Sequence, residues 1–165
     1  MLDDLLVPNL RLVFCGTAAG TRSAAQRAYY AGIGNKFWPT LAAVGLTPRQ
    51  LEANDFRELL QFGIGLTDLV QDQAGPDERI RFSTTAVDRF RDRILTFRPA
   101  CLAFNGKRAA RVFLGVKHID FGLQRSRIGD TALYCVPSTS GLAARHWDLA
   151  PWRQLAQQVP ARATV

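Results

Sequence analysis

Leu10-Arg-Leu-Val-Phe-Cys-Gly-Thr-Ala-Ala-Gly20 is an apolar run that breaks into glycine and small residues, the signature of a strand feeding a loop. The β-branched and aromatic content of Leu10 to Cys15 suits a strand with little exposure on either face. Two runs share this character, Cys101 to Phe104 and Ala132 to Val136, and a shorter fourth, Gly63 to Leu66, ends at Thr67 and Asp68. Helical patterns lie between them: Lys36 to Val44 behind Asn35 as cap, Asp55 to Leu60, Thr85 to Phe97, Arg108 to Leu114, and Trp152 to Gln158. In the third, Val87, Phe90, Ile94 and Phe97 recur at helical spacing while Asp88, Arg89, Arg91, Asp92 and Arg93 take the other faces, so the stripe faces a core. Strands separated by helices of this length cannot be hairpins. The expected fold is α/β: a three-layer αβα sandwich around a mostly parallel sheet of about four or five strands, forming one domain over residues 1–165.

In such a sheet, ligands bind outside the carboxyl ends of the strands. Four loops qualify: Gly16 to Ser23, Thr67 to Val70, Asn105 to Lys107, and Pro137 to Ala143. No internal repeat appears, and Gln71 to Glu78 and the tail after Gln158 read as linker-like or frayed.

Composition narrows the function. Of 165 residues, 47% are hydrophobic and 21% charged, enough to fill and solvate one core. The net charge of +7 favours a polyanionic partner, although a coding bias toward arginine would leave the same excess. Cys15, Cys101 and Cys135 are odd in number and lack metal-ligand spacing, so buried free thiols in a reducing compartment are expected. No apolar stretch is long enough to span a membrane and the first residues are acidic, so the expected location is cytoplasmic. His118 and His146 have no companions at ligand spacing, so no metal and no cofactor is expected. The first loop lacks the Gly-Lys-Ser/Thr ending of a phosphate loop and the third glycine of a dinucleotide fingerprint. No strained serine elbow is present.

The loops hold the candidate chemistry. Backbone N–H groups of Gly16 to Gly20 can converge on an anionic atom, or the glycines can be purely structural. Asp68, at a strand end, can orient or deprotonate a water, or can cap a helix or pair with an arginine. Asn105 offers an amide and Lys107 a phosphate contact, and either suits a turn as well. In Ser138-Thr-Ser-Gly-Leu142 the apolar Leu142 is either a wedge for a base stack or a helix staple. After the first loop come Tyr29 and Tyr30, with Phe37 and Trp38 assigned to the core and Tyr30 placed to stack on a base.

In order, Leu10 to Gly20, Gly34-Asn-Lys-Phe-Trp38, Gly65-Leu-Thr-Asp-Leu-Val70 and Val136-Pro-Ser-Thr-Ser-Gly-Leu-Ala143 resemble four motifs of the mismatch-specific uracil/thymine DNA glycosylase family, a branch of the uracil-DNA glycosylase superfamily. The likeness runs from about Leu5 to Trp152. It implies the superfamily's αβα fold and a hydrolase of N-glycosidic bonds, acting on double-stranded DNA that contains uracil or a G:U or G:T mismatch; nothing in that reaction needs a dimer, so a monomer is expected. It further implies a water-positioning and leaving-group loop from Gly16, Thr17 and Ala18 to Gly20, base contacts from Tyr30 and Ser23, and an insertion loop from Ser138 to Gly141, Leu142 and Ala143; beside it, Asn105 and Ser138 are expected from their own loops to contact the base. Lys36, Lys107 and Arg145, with Arg22 and Arg27, are the natural phosphate contacts.

One departure is serious. The family's catalytic asparagine, third in its first motif, is Ala18 here, and the asparagine of the last motif is Ser138. Asp68 stands where the family has lysine and is the only carboxylate in the four loops, so it is expected to take over the water. The alternatives are a lesion-binding protein of the same fold without activity, and a small α/β hydrolase or nucleotide-binding domain unrelated to DNA.

Overall fold

The computed structural model describes residues 2–161. Four parallel strands, β1 (Leu12–Gly16), β2 (Ile64–Asp68), β3 (Cys101–Asn105) and β5 (Thr131–Val136), form a sheet whose edge is completed by an antiparallel β4 (Gly122–Ile128), in the order β2-β1-β3-β5-β4. The helices are α1 (Thr21–Gln26), α2 (Phe37–Ala43), α3 (Thr84–Phe97), α4 (Lys107–Leu114) and α5 (Ala150–Gln158), with 3-10 turns at Ala53–Phe62, Asp77–Arg79 and Gly141–His146. Asn35 does serve the start of α2: its Oδ1 accepts the Phe37 N–H at 3.0 Å.

Strand alternation sorts the core into two layers. Leu12 and Phe14 of β1, Ile64 and Leu66 of β2, and Cys101 and Ala103 of β3 face Phe37, Leu41, Leu59 and Trp152. Their neighbours Val13, Cys15, Leu102 and Phe104 face Phe90 and Ile94 of α3 and Phe113 of α4. Helices therefore cover both faces, giving the αβα sandwich. All three cysteines are buried free thiols.

Two expectations need correction, and one strand was not expected. That strand, β4, forms a hairpin with β5 through Gly129 and Asp130, with Ile128 paired to Thr131. This strand, Gly-Leu-Gln-Arg-Ser-Arg-Ile, is polar because its outer positions are exposed, so it gave no apolar signal. The loop from Gly16 to Ser23 already contains the first turn of α1. Gln71 to Glu78 is not a free linker: Ala74 bridges Ala19, and the Gly75 N–H donates to the Ala19 carbonyl at 2.9 Å. Of the tail, Val159 is buried and residues 162–165 lie outside the described residues.

Candidate active site

The same alternation that sorts the core places the site. Two residues beyond Phe14, Leu66 and Ala103 lie Gly16, Asp68 and Asn105, so all three fall at the carboxyl ends of their strands on one face of the sheet. Gly16 is the register partner of Asp68. A β-carbon on Gly16 would stand 2.6 Å from Asp68 Oδ1 and 3.6 Å from the Tyr30 hydroxyl, so only glycine lets these two groups lean over the end of β1.

Asp68 is 7% exposed. Its carboxylate makes no hydrogen bond or ion pair among the described residues, yet neither oxygen is sealed from solvent. It borders a cavity of about 210 Å³ walled by Leu2, Ala19, Ala24, Val70, Gln71, Gln73 and Ala74. Burial above all, then the nearby Asp4 carboxylate, raises its pKa to about 7, while Arg93 opposes the shift. A larger space of about 520 Å³ lies at the opposite ends of the strands, beside Leu10, Gly63 and Ala100.

Thr67, one residue earlier, points to the other face and anchors the strand end. Its hydroxyl donates to Asp4 Oδ1 at 2.6 Å and accepts from Arg93 Nη1 at 2.7 Å. Arg93 also donates to the Asp68 main-chain carbonyl at 3.0 Å and pairs with Asp4 at 3.4 Å. The guanidinium therefore grips the backbone of Asp68 from behind and leaves its carboxylate unpaired in front. Sequence reasoning missed Asp4 and Arg93, because a pairing across 63 residues, Asp4 to Thr67, leaves no local pattern.

Tyr30 sits at φ 54°, an uncommon backbone for a tyrosine, in a loop pinned from several sides. The Ser23 hydroxyl accepts the Ala31 N–H at 3.1 Å, Trp38 Nε1 donates to the Tyr29 carbonyl at 3.1 Å, and the Lys36 N–H donates to the Thr139 carbonyl at 2.8 Å. One face of the Tyr30 ring stacks on Phe37, with centroids 4.0 Å apart and planes at 27°. Phe37 and Trp38 are both core residues, as the sequence predicts. Among the described residues, the Tyr30 hydroxyl is the one buried side-chain polar atom without a hydrogen-bond partner. An orphan of this kind typically costs about 1 to 3 kcal/mol. Burial first, then the charge of Asp68, raises its pKa well above the ordinary range, and the neighbouring Asn105 amide opposes this without forming a hydrogen bond.

Asn105 is largely committed to structure. Its Nδ2 donates to Thr139 Oγ1 at 2.9 Å and its Oδ1 accepts the Thr139 N–H at 3.0 Å, which fixes the last loop against β3. Ser138 packs over Gly106 and accepts the Ser140 N–H at 3.2 Å. In the first loop, Thr17 is buried and reaches Asp77 only at 3.5 Å, while the N–H groups of Ala18 and Gly20 donate to no described partner.

Gly141 lies so close to the Tyr30 loop that a β-carbon there would be 3.1 Å from the Ile33 carbonyl and 3.5 Å from Gly34. Beside this contact the Leu142 side chain is 93% exposed, which excludes the staple reading, and Ile33 is 84% exposed. Nothing in the sequence distinguished Ile33 from a core residue. Arg22, Arg27 and Arg145 are exposed on the same loops, as is Ala143 in part. Lys36 Nζ lies 5.9 Å from the centre of the Trp147 ring and Lys107 Nζ 4.5 Å from that of the Phe121 ring, each ammonium over an aromatic face. No group of three or more metal-ligating side chains occurs among the described residues.

The family model described as the uracil DNA glycosylase superfamily matches residues 4–157. A solution NMR structure from Methanosarcina acetivorans, provisionally described as a uracil DNA glycosylase, superposes with a TM-score of 0.59 at 18% identity, covering 94% of each chain. At that identity the likeness speaks for the fold.

Proposed function

Because this chain belongs to the uracil DNA glycosylase superfamily, we propose that it hydrolyses the N-glycosidic bond of uracil in double-stranded DNA, with G:U mismatches as preferred sites, and that Asp68 manages the attacking water. The observation that carries this reading is the free Asp68 carboxylate beside Gly16, at the loop where the superfamily's first motif lies but the asparagine is missing. The four ordered motif segments support the mismatch-specific branch.

Cleavage leaves an oxocarbenium-like sugar and a uracil anion. The carboxylate favours the cationic sugar and accepts a proton from water as the oxygen bonds to C1′. The C1′–N1 pair departs with the base, which takes a proton from solvent. Unused N–H groups of Ala18 and Gly20 are available to the departing anion, and one donor of that type is typically worth ~3 to 4 kcal/mol. Tyr30, Ser23, Asn105 and Ser138 surround the base in this scheme, with the Tyr30 ring as its platform. Leu142 replaces the extruded nucleotide in the stack, at a cost of a few kcal/mol that falls at a mismatch. The duplex phosphates flanking the extruded nucleotide meet Lys36, Lys107 and Arg145. The protein needs no second subunit for any step.

Uracil release from a G:U duplex, compared between wild type and Asp68→Asn, tests this. The expected loss is about 10² to 10⁴ in rate, the usual worth of a positioned acid–base group. A variant that keeps half the activity contradicts the assignment of Asp68. A wild type that binds the duplex but releases no base supports the lesion-binding alternative that Ala18 raises.

A further inference from the structure

The Tyr30 hydroxyl has no role in the packing around it. The ring stacks on Phe37, and a phenylalanine at position 30 would do this equally well. Yet the hydroxyl is buried without a partner, on a residue held at positive φ by a loop tied down at Ala31 and Lys36. Its surroundings name the missing partner. The hydroxyl and Asp68 Oδ1 both stand within 3.6 Å of one point above Gly16, but they do not bond to each other. The Asn105 amide, the other polar group nearby, gives one N–H and one lone pair to Thr139 and, although close enough to lower the hydroxyl's pKa, makes no hydrogen bond to it. Buried polar groups in folded proteins nearly always find a partner, and one water can satisfy a hydroxyl donor and a carboxylate acceptor together.

We propose that Tyr30 is a second catalytic residue, whose hydroxyl donates a hydrogen bond to the same water that Asp68 holds, so that the two oxygens together aim its remaining lone pair at the sugar C1′. This rests on the reading of Asp68 as the water-holding group. With two contacts the water is fixed in position and rotation, whereas Asp68 alone leaves it free to swing about a single hydrogen bond. Raised by burial and by the Asp68 charge, the Tyr30 hydroxyl keeps its proton through the neutral range and remains a donor.

The test is Tyr30→Phe in the full-length protein, measured by single-turnover uracil release from a G:U duplex and by thermal unfolding. The expected result is a fall in the catalytic rate of roughly 10- to 100-fold with duplex affinity within about twofold of wild type, about what one donor to a partly charged atom supplies. The melting temperature should stay level, because the hydroxyl bonds to no protein group and its removal breaks no protein–protein contact. A merely structural hydroxyl would instead lower it. A rate loss below threefold overturns the proposal. In the Asp68→Asn background Tyr30→Phe should cost less than threefold more. An undiminished loss there places the hydroxyl on the base rather than the water and also overturns it. If Asp68→Asn alone is fully active, the failure lies with Asp68, and Tyr30→Phe in the wild-type background still reports separately on the hydroxyl.

Discussion

At position 68 one carboxyl group is held by its backbone from one face of the sheet and presented by its side chain on the other. That division explains how an arginine-rich chain keeps an unpaired carboxylate at its site: Arg93 is occupied by Asp4, Thr67 and the Asp68 carbonyl. The isolation is destabilising in a definite pH window. Burial raises the folded-state pKa from 3.8 to about 7, so the folded protein keeps a proton that the unfolded chain releases. The stabilising contribution is complete below the unfolded value and is lost as pH rises through about 7. Asp68→Asn, which cannot ionise, should therefore melt above wild type at pH 8, with the gap closing near pH 4 in paired thermal scans. Gly16→Ala tests the close approach: its methyl group would meet Asp68 Oδ1 at 2.6 Å. Displacing the carboxylate should cost at least about tenfold in uracil release, with about 1 to 3 kcal/mol of stability lost to the overpacking in denaturant titrations. Asp68 was legible in the sequence as the sole carboxylate in the loops, whereas Asp4 and Arg93 were not, since the contacts that matter join chain segments dozens of residues apart.

Strands and helices carried their own signals where they were apolar. The runs at Leu10, Cys101 and Ala132 matched β1, β3 and β5 to within two residues, and the Thr85 stripe delivered Phe90 and Ile94 to the core. β2 runs on through Thr67 and Asp68, two residues past its apolar run, because the Arg93 network and the pairing with β1 extend it. β4 went unseen for the opposite reason: as a half-exposed edge it owes its place to pairing with β5, and Gly129-Asp130 was its only sequence signal. The loop from Pro137 to Ala143 is positioned by elements far away in sequence, through Asn105 and the Gly34 to Gly141 contact. Its one exposed leucine has no packing duty. Leu142→Ala should thus leave thermal stability unchanged while slowing excision from duplex DNA about tenfold or more, and should hardly affect single-stranded substrates, where no stack has to be opened.

For the whole molecule, the net charge of +7 becomes meaningful once several of its cations are found exposed around one loop cluster. If about six phosphates are neutralised there, duplex affinity measured by fluorescence anisotropy should fall with salt at a log–log slope of about −5. A slope near zero would assign the charge to solubility alone. The architecture of the sandwich was readable from strand and helix alternation, and the position of the site followed from it, because a parallel sheet gathers its loops at one end. Composition could not separate a glycosylase from a binder, since that difference lies in a few atoms around Gly16. The most direct test of those atoms is the pH dependence of single-turnover uracil release from a G:U duplex, run for wild type and Asp68→Asn together. The wild-type rate should climb as the carboxyl ionises through about pH 7 and then level off, and the variant should lie about 10² to 10⁴ lower with that rise absent. An asparagine variant that follows the wild-type curve at half its height or more would contradict the account.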